Sequence, residues 1–117
     1  MKDFRNLKVW ELSHKVALEI YSLTTAFPKE EMYGLTSQIR RASASIPTNI
    51  SEGCGRDSDA DFRRFIQIAF GSACEVEYLL ILANELKILS IKDYDQLNPK
   101  VIEIKKMLSG LIKKLKG

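Results

Sequence analysis

Residues able to do chemistry are few in this chain, and their spacing excludes most reactions. Its 117 residues include one histidine, His14, and two cysteines, Cys54 and Cys74. No zinc-ligand spacing joins the three, and a di-iron bundle would need two Glu-x-x-His motifs. A lone histidine on a helical stripe reads as a packed, hydrogen-bonded residue. Asp57, Asp59 and Asp61 alternate like the opening of a calcium loop, but Phe62 stands where that loop needs glycine and Ile68 where it needs glutamate. Gly53-Cys54-Gly55 follows no strand, so it is not a nucleotide-binding fingerprint. No catalytic set, metal site or cofactor site emerges, and the sequence reads as that of a non-enzyme.

One block stands out for polarity where a bundle helix is ordinarily apolar: Gln38-Ile39-Arg40-Arg41-Ala42, then Ser45-Ile46-Pro47-Thr48-Asn49-Ile50, then Glu52-Gly53. Arg41, Ser45, Asn49 and Glu52 follow at helical steps and share a face beside the apolar stripe. Arg41 and Glu52 are too far apart to pair, so each needs partners elsewhere, because an unpaired buried charge is costly. Glu75 and Glu77 are candidate partners for Arg40 or Arg41. Two readings stay open. The arginines form a basic surface for phosphate, or Gln38, Ser45, Asn49, Glu52 and Glu75 belong to an inter-helix polar network that fixes register.

Charge adds a second signal. The net charge is +3, yet residues 100–117 carry six lysines against one glutamate, which leaves the rest of the chain net acidic. Such asymmetry hints at an anionic partner; for the lysines alone a solvated face on a terminal helix, helped by the helix dipole, is the better account. Arg40, Arg41, Arg56, Arg63 and Arg64, with Lys105, Lys106, Lys113 and Lys114, are the candidate phosphate contacts. No aromatic platform for bases is evident, so backbone contact with little sequence reading is expected.

The elements that position these residues are helices. Hydrophobic residues make up 45% and charged residues 28%, an ordinary globular balance. Leu7, Trp10, His14, Ala17 and Tyr21 form one stripe and Val9, Val16, Ile20 and Leu23 another, predicting a helix over about 6–26 that Phe27-Pro28 stops. Leu35, Ile39, Ala42, Ile46, Ile50 and Gly53 predict a second over 35–53, kinked at Pro47 and closed by glycine in the left-handed cap conformation. Phe62, Ile66, Ala69, Ala73, Val76, Leu80 and Ala83, beside Phe65, Leu79, Leu82 and Leu86, predict a third over 59–89 with Ser58 as N-cap. Its girth near Val76 to Ala83 is apolar enough to call for oligomer contacts. Pro99 places the start of the fourth near Asn98, and Leu97, Val101, Ile104, Leu108, Leu111 and Leu115 form its seam. Short connections imply an all-α, antiparallel up-down four-helix bundle, one domain over 1–117. The longest unbroken apolar run, Tyr78 to Ala83, is too short for a membrane span. The start of the chain shows no targeting segment. Two reduced thiols fit a cytoplasmic protein.

Phe4-Arg5-Asn6-Leu7-Lys8-Val9-Trp10, Phe27-Pro28, Tyr33-Gly34-Leu35, the Gln38 to Gly53 block, and Ser58, Asp61-Phe62, Phe65, Ala69, Gly71-Ser72, Glu75 and Glu77 resemble the pattern of the 23S ribosomal RNA intervening-sequence proteins, in order and over nearly the whole chain. The resemblance implies a bacterial four-helix bundle. That family is also similar to the accessory variability protein of diversity-generating retroelements, a basic homopentameric barrel that binds nucleic acid and contacts a reverse transcriptase. By that analogy the chain is expected to be a homo-oligomer, a pentamer, binding RNA or DNA with a protein partner such as a reverse transcriptase. The competing expectation is a protein-interaction scaffold that ignores nucleic acid.

Overall fold

The computed structural model describes residues 2–116; Met1 and Gly117, the two ends of the expected domain, lie outside the described residues. Four helices follow in order: α1 Lys8–Thr24, α2 Leu35–Cys54, α3 Asp59–Glu85 and α4 Ile91–Lys116, with short 3₁₀ turns at Phe4–Asn6 and Lys29–Glu31. Neighbours in sequence run antiparallel. Trp10 meets Ser51, Ser45 meets Ser72 and Glu77 meets Lys105, so α1–α2, α2–α3 and α3–α4 pair in turn. Lys100 meets Glu19 at 2.5 Å, which brings α4 back against α1 and closes an up-down four-helix bundle measuring 43 × 23 × 20 Å. Among the described residues there is no strand.

The stripes explain the packing. Every apolar member of the α2 stripe, from Leu35 to Ile50, is buried, as is every member of the first α3 stripe. Full burial of a side chain such as Ile46 or Ile50 stabilises the fold by about 2 kcal/mol each. On α1 the second stripe supplies most of the core, and of the first stripe Ala17 alone is buried. Val9, Val16 and Ile20 are buried, whereas Trp10 sits on the rim and His14 and Tyr21 are exposed. Ser13 and Thr24 are buried among them because each hydroxyl donates to its own helix, to Trp10 O and Ile20 O respectively. His14 stacks on Trp10 at 5.0 Å instead of lying in the core.

Three boundaries differ from the sequence-based expectation. α4 begins at Ile91, where Ser90 Oγ accepts from Asp93 N–H, and Pro99 lies inside the helix. The carbonyl that Pro99 leaves unbonded is that of exposed Asp95, which water can satisfy. α3 stops at Glu85 instead of near Leu89. Lys87 takes φ 64°, and Ile88 N–H and Lys87 N–H bond Ala83 O and Asn84 O, a Schellman ending without glycine. Gly53 is helical, and Gly55 has φ −85°, so neither adopts a left-handed cap. Gly53 serves close approach instead: a Cβ there would lie 2.8 Å from Phe62 Cδ1 and 3.0 Å from Phe65 Cβ of α3. α2 runs unbroken through buried Pro47.

α3 is long and apolar enough to cross a membrane by length and composition, with a mean hydropathy of 1.5 over its most apolar window. In the bundle α3 packs against both α2 and α4, yet only 33% of that apolar window is buried, and Ile68, Tyr78 and Ile81 of the helix stay exposed.

Candidate nucleic-acid interface

The nine candidate cations fall into three places. Arg56, Arg63 and Arg64 stand around the start of α3, where the last turn of α4 also arrives. The Arg63 guanidinium reaches Leu115 O at 3.5 Å, which sets the arginines beside Lys113 and Lys114 at one end of the bundle. This position near unsatisfied C-terminal carbonyls favours cations. The half-buried ring of Phe65 organises the group: the Arg56 guanidinium lies 4.6 Å from its centroid and that of Arg64 5.7 Å. Among the described residues only Arg64 of the three has an acid within ion-pair distance, Asp61 at 3.8 Å. Asp57 and Asp59 are exposed at the same end and temper the field.

The second place is the flank of α4. Lys105, Lys106 and Lys113 line a 500 Å³ hollow with Phe70, Ile102, Ser109 and Gly110. Lys105 is committed to Glu77 at 2.6 Å, and that hydrogen bond holds its ammonium above the ordinary lysine range. Lys106, Lys113 and Lys114 are exposed.

The third place is α2, where adjacent arginines have different surroundings. Arg40 Nε donates to Thr24 Oγ1 at 2.7 Å and Nη2 to Tyr21 O at 3.2 Å, with the guanidinium 5.0 Å from the Tyr21 ring. It therefore ties α2 to the end of α1 and does not pair with Glu75 or Glu77, correcting the partners expected for it. Arg41 is exposed and has no ion pair among the described residues.

The polar network forms in part. Ser45 Oγ lies 2.8 Å from Ser72 Oγ, and Asn49 Nδ2 donates to both Ser45 O and Ser45 Oγ, so a small hydroxyl–amide cluster links α2 to α3. Gln38 and Glu75 line a 500 Å³ hollow with Ser45, Ser72 and Arg41. Glu52 is exposed at the far end of α2, away from that hollow. Sequence reasoning missed Thr24, Ser72 and Phe65 as partners. Their signals were a threonine at a helix end, a small polar residue opposite Ser45, and a phenylalanine one helical step from Asp61 and next to Arg64. It also missed Tyr33, an aromatic residue beside Arg41.

No group of three His, Cys, Asp or Glu residues is placed to hold a metal among the described residues. Cys54 is buried, and burial pushes its thiol pKa up; Cys74 is half-buried.

The comparisons with known proteins fit this geometry. Among curated proteins nothing matches the chain. A crystal structure of a protein of unknown function from the S23 ribosomal protein family of Bacteroides thetaiotaomicron VPI-5482 matches with a TM-score of 0.81 and 30% identity, covering 90% of this chain and 98% of that one. The family model described as 23S rRNA-intervening sequence protein matches residues 5–110. With that match spanning the core of all four helices and the polar face of α2, the chain belongs to the 23S rRNA-intervening sequence protein family.

Proposed function

We propose that this chain is a non-enzymatic, cytoplasmic accessory protein that works as a homo-oligomer and holds RNA or DNA through backbone phosphates. The observation that carries this reading is the reach of Arg63 to Leu115 O, which gathers Arg56, Arg63 and Arg64 with Lys113 and Lys114 at one end of the bundle. Among the described residues only one of the three arginines there has an acid within ion-pair distance. Phosphate contacts of this kind position nucleic acid without reading sequence. Copies assembled in a ring would multiply a modest patch. Exposed Leu18, Ile68, Tyr78 and Ile81 supply apolar surface for such contacts.

The test is affinity for RNA and DNA measured against salt. Binding should weaken steeply as salt rises, and Lys113→Gln with Lys114→Gln should lower the slope by about two. A flat salt response would end this reading. Light scattering on the same samples gives the number of copies; a monomer would remove the multiplication. The same apolar surface favours a second reading, a scaffold for protein partners alone. It predicts an oligomer that ignores nucleic acid at physiological salt and retains a protein in pull-down.

A further inference from the structure

The outer face of α2 carries a depression away from the cationic end of the bundle. It has a volume of 680 Å³ and is lined by Tyr21, Met32, Tyr33, Thr36, Arg41 and Ala44 among others. That volume lies within the roughly 300–1,000 Å³ typical of sites for small ligands. Tyr33 is 97% exposed, the largest exposure among the big apolar and aromatic side chains. Water solvates both faces of that ring, an unusual state for an aromatic residue on an ordered turn.

The turn is ordered by its hydrogen bonds. Met32 N–H bonds Lys29 O and Gly34 N–H bonds Glu31 O, so the backbone is tied on both sides of Tyr33. Glu31 Oε1 also accepts from Leu35 N–H at 3.0 Å, standing in for the side-chain cap that Gly34 cannot supply. The ring is therefore presented from a fixed backbone, so binding orders its side-chain torsions and not the chain that carries it.

Further polar groups stand in or beside it. Arg41 bounds this depression and the polar hollow beside it, and it has no ion pair among the described residues. Thr36 is only 3% exposed, and its hydroxyl has no hydrogen-bond partner, which is costly for a buried polar atom. The neighbouring hollow adds Gln38, Ser45 and Ser72, all able to donate and accept hydrogen bonds. A flat π-surface, an apolar floor and a free guanidinium are the components with which proteins hold an unstacked base and its phosphate.

We infer that this depression takes one unpaired nucleotide of a single-stranded nucleic acid, its base stacked on Tyr33 and its phosphate on Arg41. This inference rests on the nucleic-acid reading above but adds a preference that phosphate contacts alone do not supply: single strand over duplex. The depression stands near the start of α2, and the cationic end of the bundle stands at its finish, so the two surfaces can be tested separately.

The experiment measures binding of a short labelled single-stranded RNA, the same RNA with one abasic position, and its duplex, against salt. Tyr33→Ala should weaken the intact single strand about tenfold, leave the duplex unchanged, leave the salt slope unchanged, and cause no loss with the abasic strand beyond what the abasic position already costs. Tyr33→Phe should retain binding, since it keeps the ring. Arg41→Gln should lower the salt slope by about one. Equal losses on single strand and duplex, or no loss on either while wild-type binding stays salt-dependent, would overturn the inference and leave the phosphate reading standing. No salt-dependent binding by the wild type would overturn both. A drop in oligomer mass for Tyr33→Ala would assign the ring to contacts between copies and overturn the inference.

Discussion

α2 carries small residues on two faces, and the two are used in different ways. Toward α3, Ala42, Ser45, Asn49 and Gly53 let the helices come close enough that a Cβ on Gly53 would meet the Phe62 ring at 2.8 Å. On the outer side, Ala44 and Thr48 border depressions beside Tyr21, and no helix of this chain covers them. Both faces have similar composition, yet one is a seam and the other a surface. Small residues alone therefore state only that something can approach closely; the phase of the large apolar residues decides where the chain itself does so. Ile39, Ile46 and Ile50 are buried and turn the first face inward.

The sharpest way to break this comparison is to add volume to each face. Gly53→Leu should destabilise the fold by about 3 kcal/mol or more, because α2 and α3 must separate to admit the side chain. Ala44→Leu on the outer face should stay within about 0.5 kcal/mol. Urea unfolding read by circular dichroism measures both. Equal effects would mean that the outer face is a covered interface of the assembled protein.

The paired arginines sharpen it next. Arg40→Ala removes the bonds to Thr24 Oγ1 and Tyr21 O and the guanidinium over the Tyr21 ring, so it should cost about 1–2 kcal/mol of stability. Arg41→Ala should leave the unfolding midpoint nearly unmoved and act on nucleic-acid binding alone. If Arg40→Ala changed the salt slope and not the midpoint, the assignment of the two would be reversed.

Much of the fold was legible because burial follows phase. The α2 stripe, the first α3 stripe and the α4 seam from Leu97 to Leu108 all face the core. What was not legible depends on choices that a single helix does not record. On α1 two apolar stripes compete, and only the position of α2 and α4 decides that Val9, Val16 and Ile20 win over Trp10, His14 and Tyr21. Pro99 looked like a helix start because its missing N–H costs nothing there; inside α4 the cost stays small because Asp95 is exposed. The end of α3 was hidden because a lysine occupies the left-handed position that glycine normally marks. Lys87→Gly should therefore stabilise the protein by about 1 kcal/mol, visible as a raised urea midpoint, since glycine takes that conformation without strain. The candidate site was half legible. The cations were named, but whether each is free depends on partners from other helices: Thr24 for Arg40, Glu77 for Lys105 and Leu115 O for Arg63.

The smallest expected effect returns to the seam. Ser45 Oγ accepts from Asn49 Nδ2 and lies 2.8 Å from Ser72 Oγ, with both hydroxyls half-buried. Ser72→Ala removes one partner, and the Ser45 hydroxyl can turn toward water in the hollow it lines. The cost should therefore sit near the low end for a lost hydrogen bond, about 0.5–1 kcal/mol. Thr48→Ala on the outer face should cost less still. None of Ser45, Asn49 and Ser72 titrates, so the Ser72→Ala deficit should be the same in slightly acidic and slightly basic buffer. The pair between Glu77 and Lys105 behaves otherwise. The lysine pKa is raised in the folded state, so its stabilisation is present below the ordinary lysine range and is lost only as pH climbs through the folded value. A Ser72→Ala deficit that differed between those two buffers would show that a charged group is joined to the hydroxyl cluster and that the seam carries charge after all.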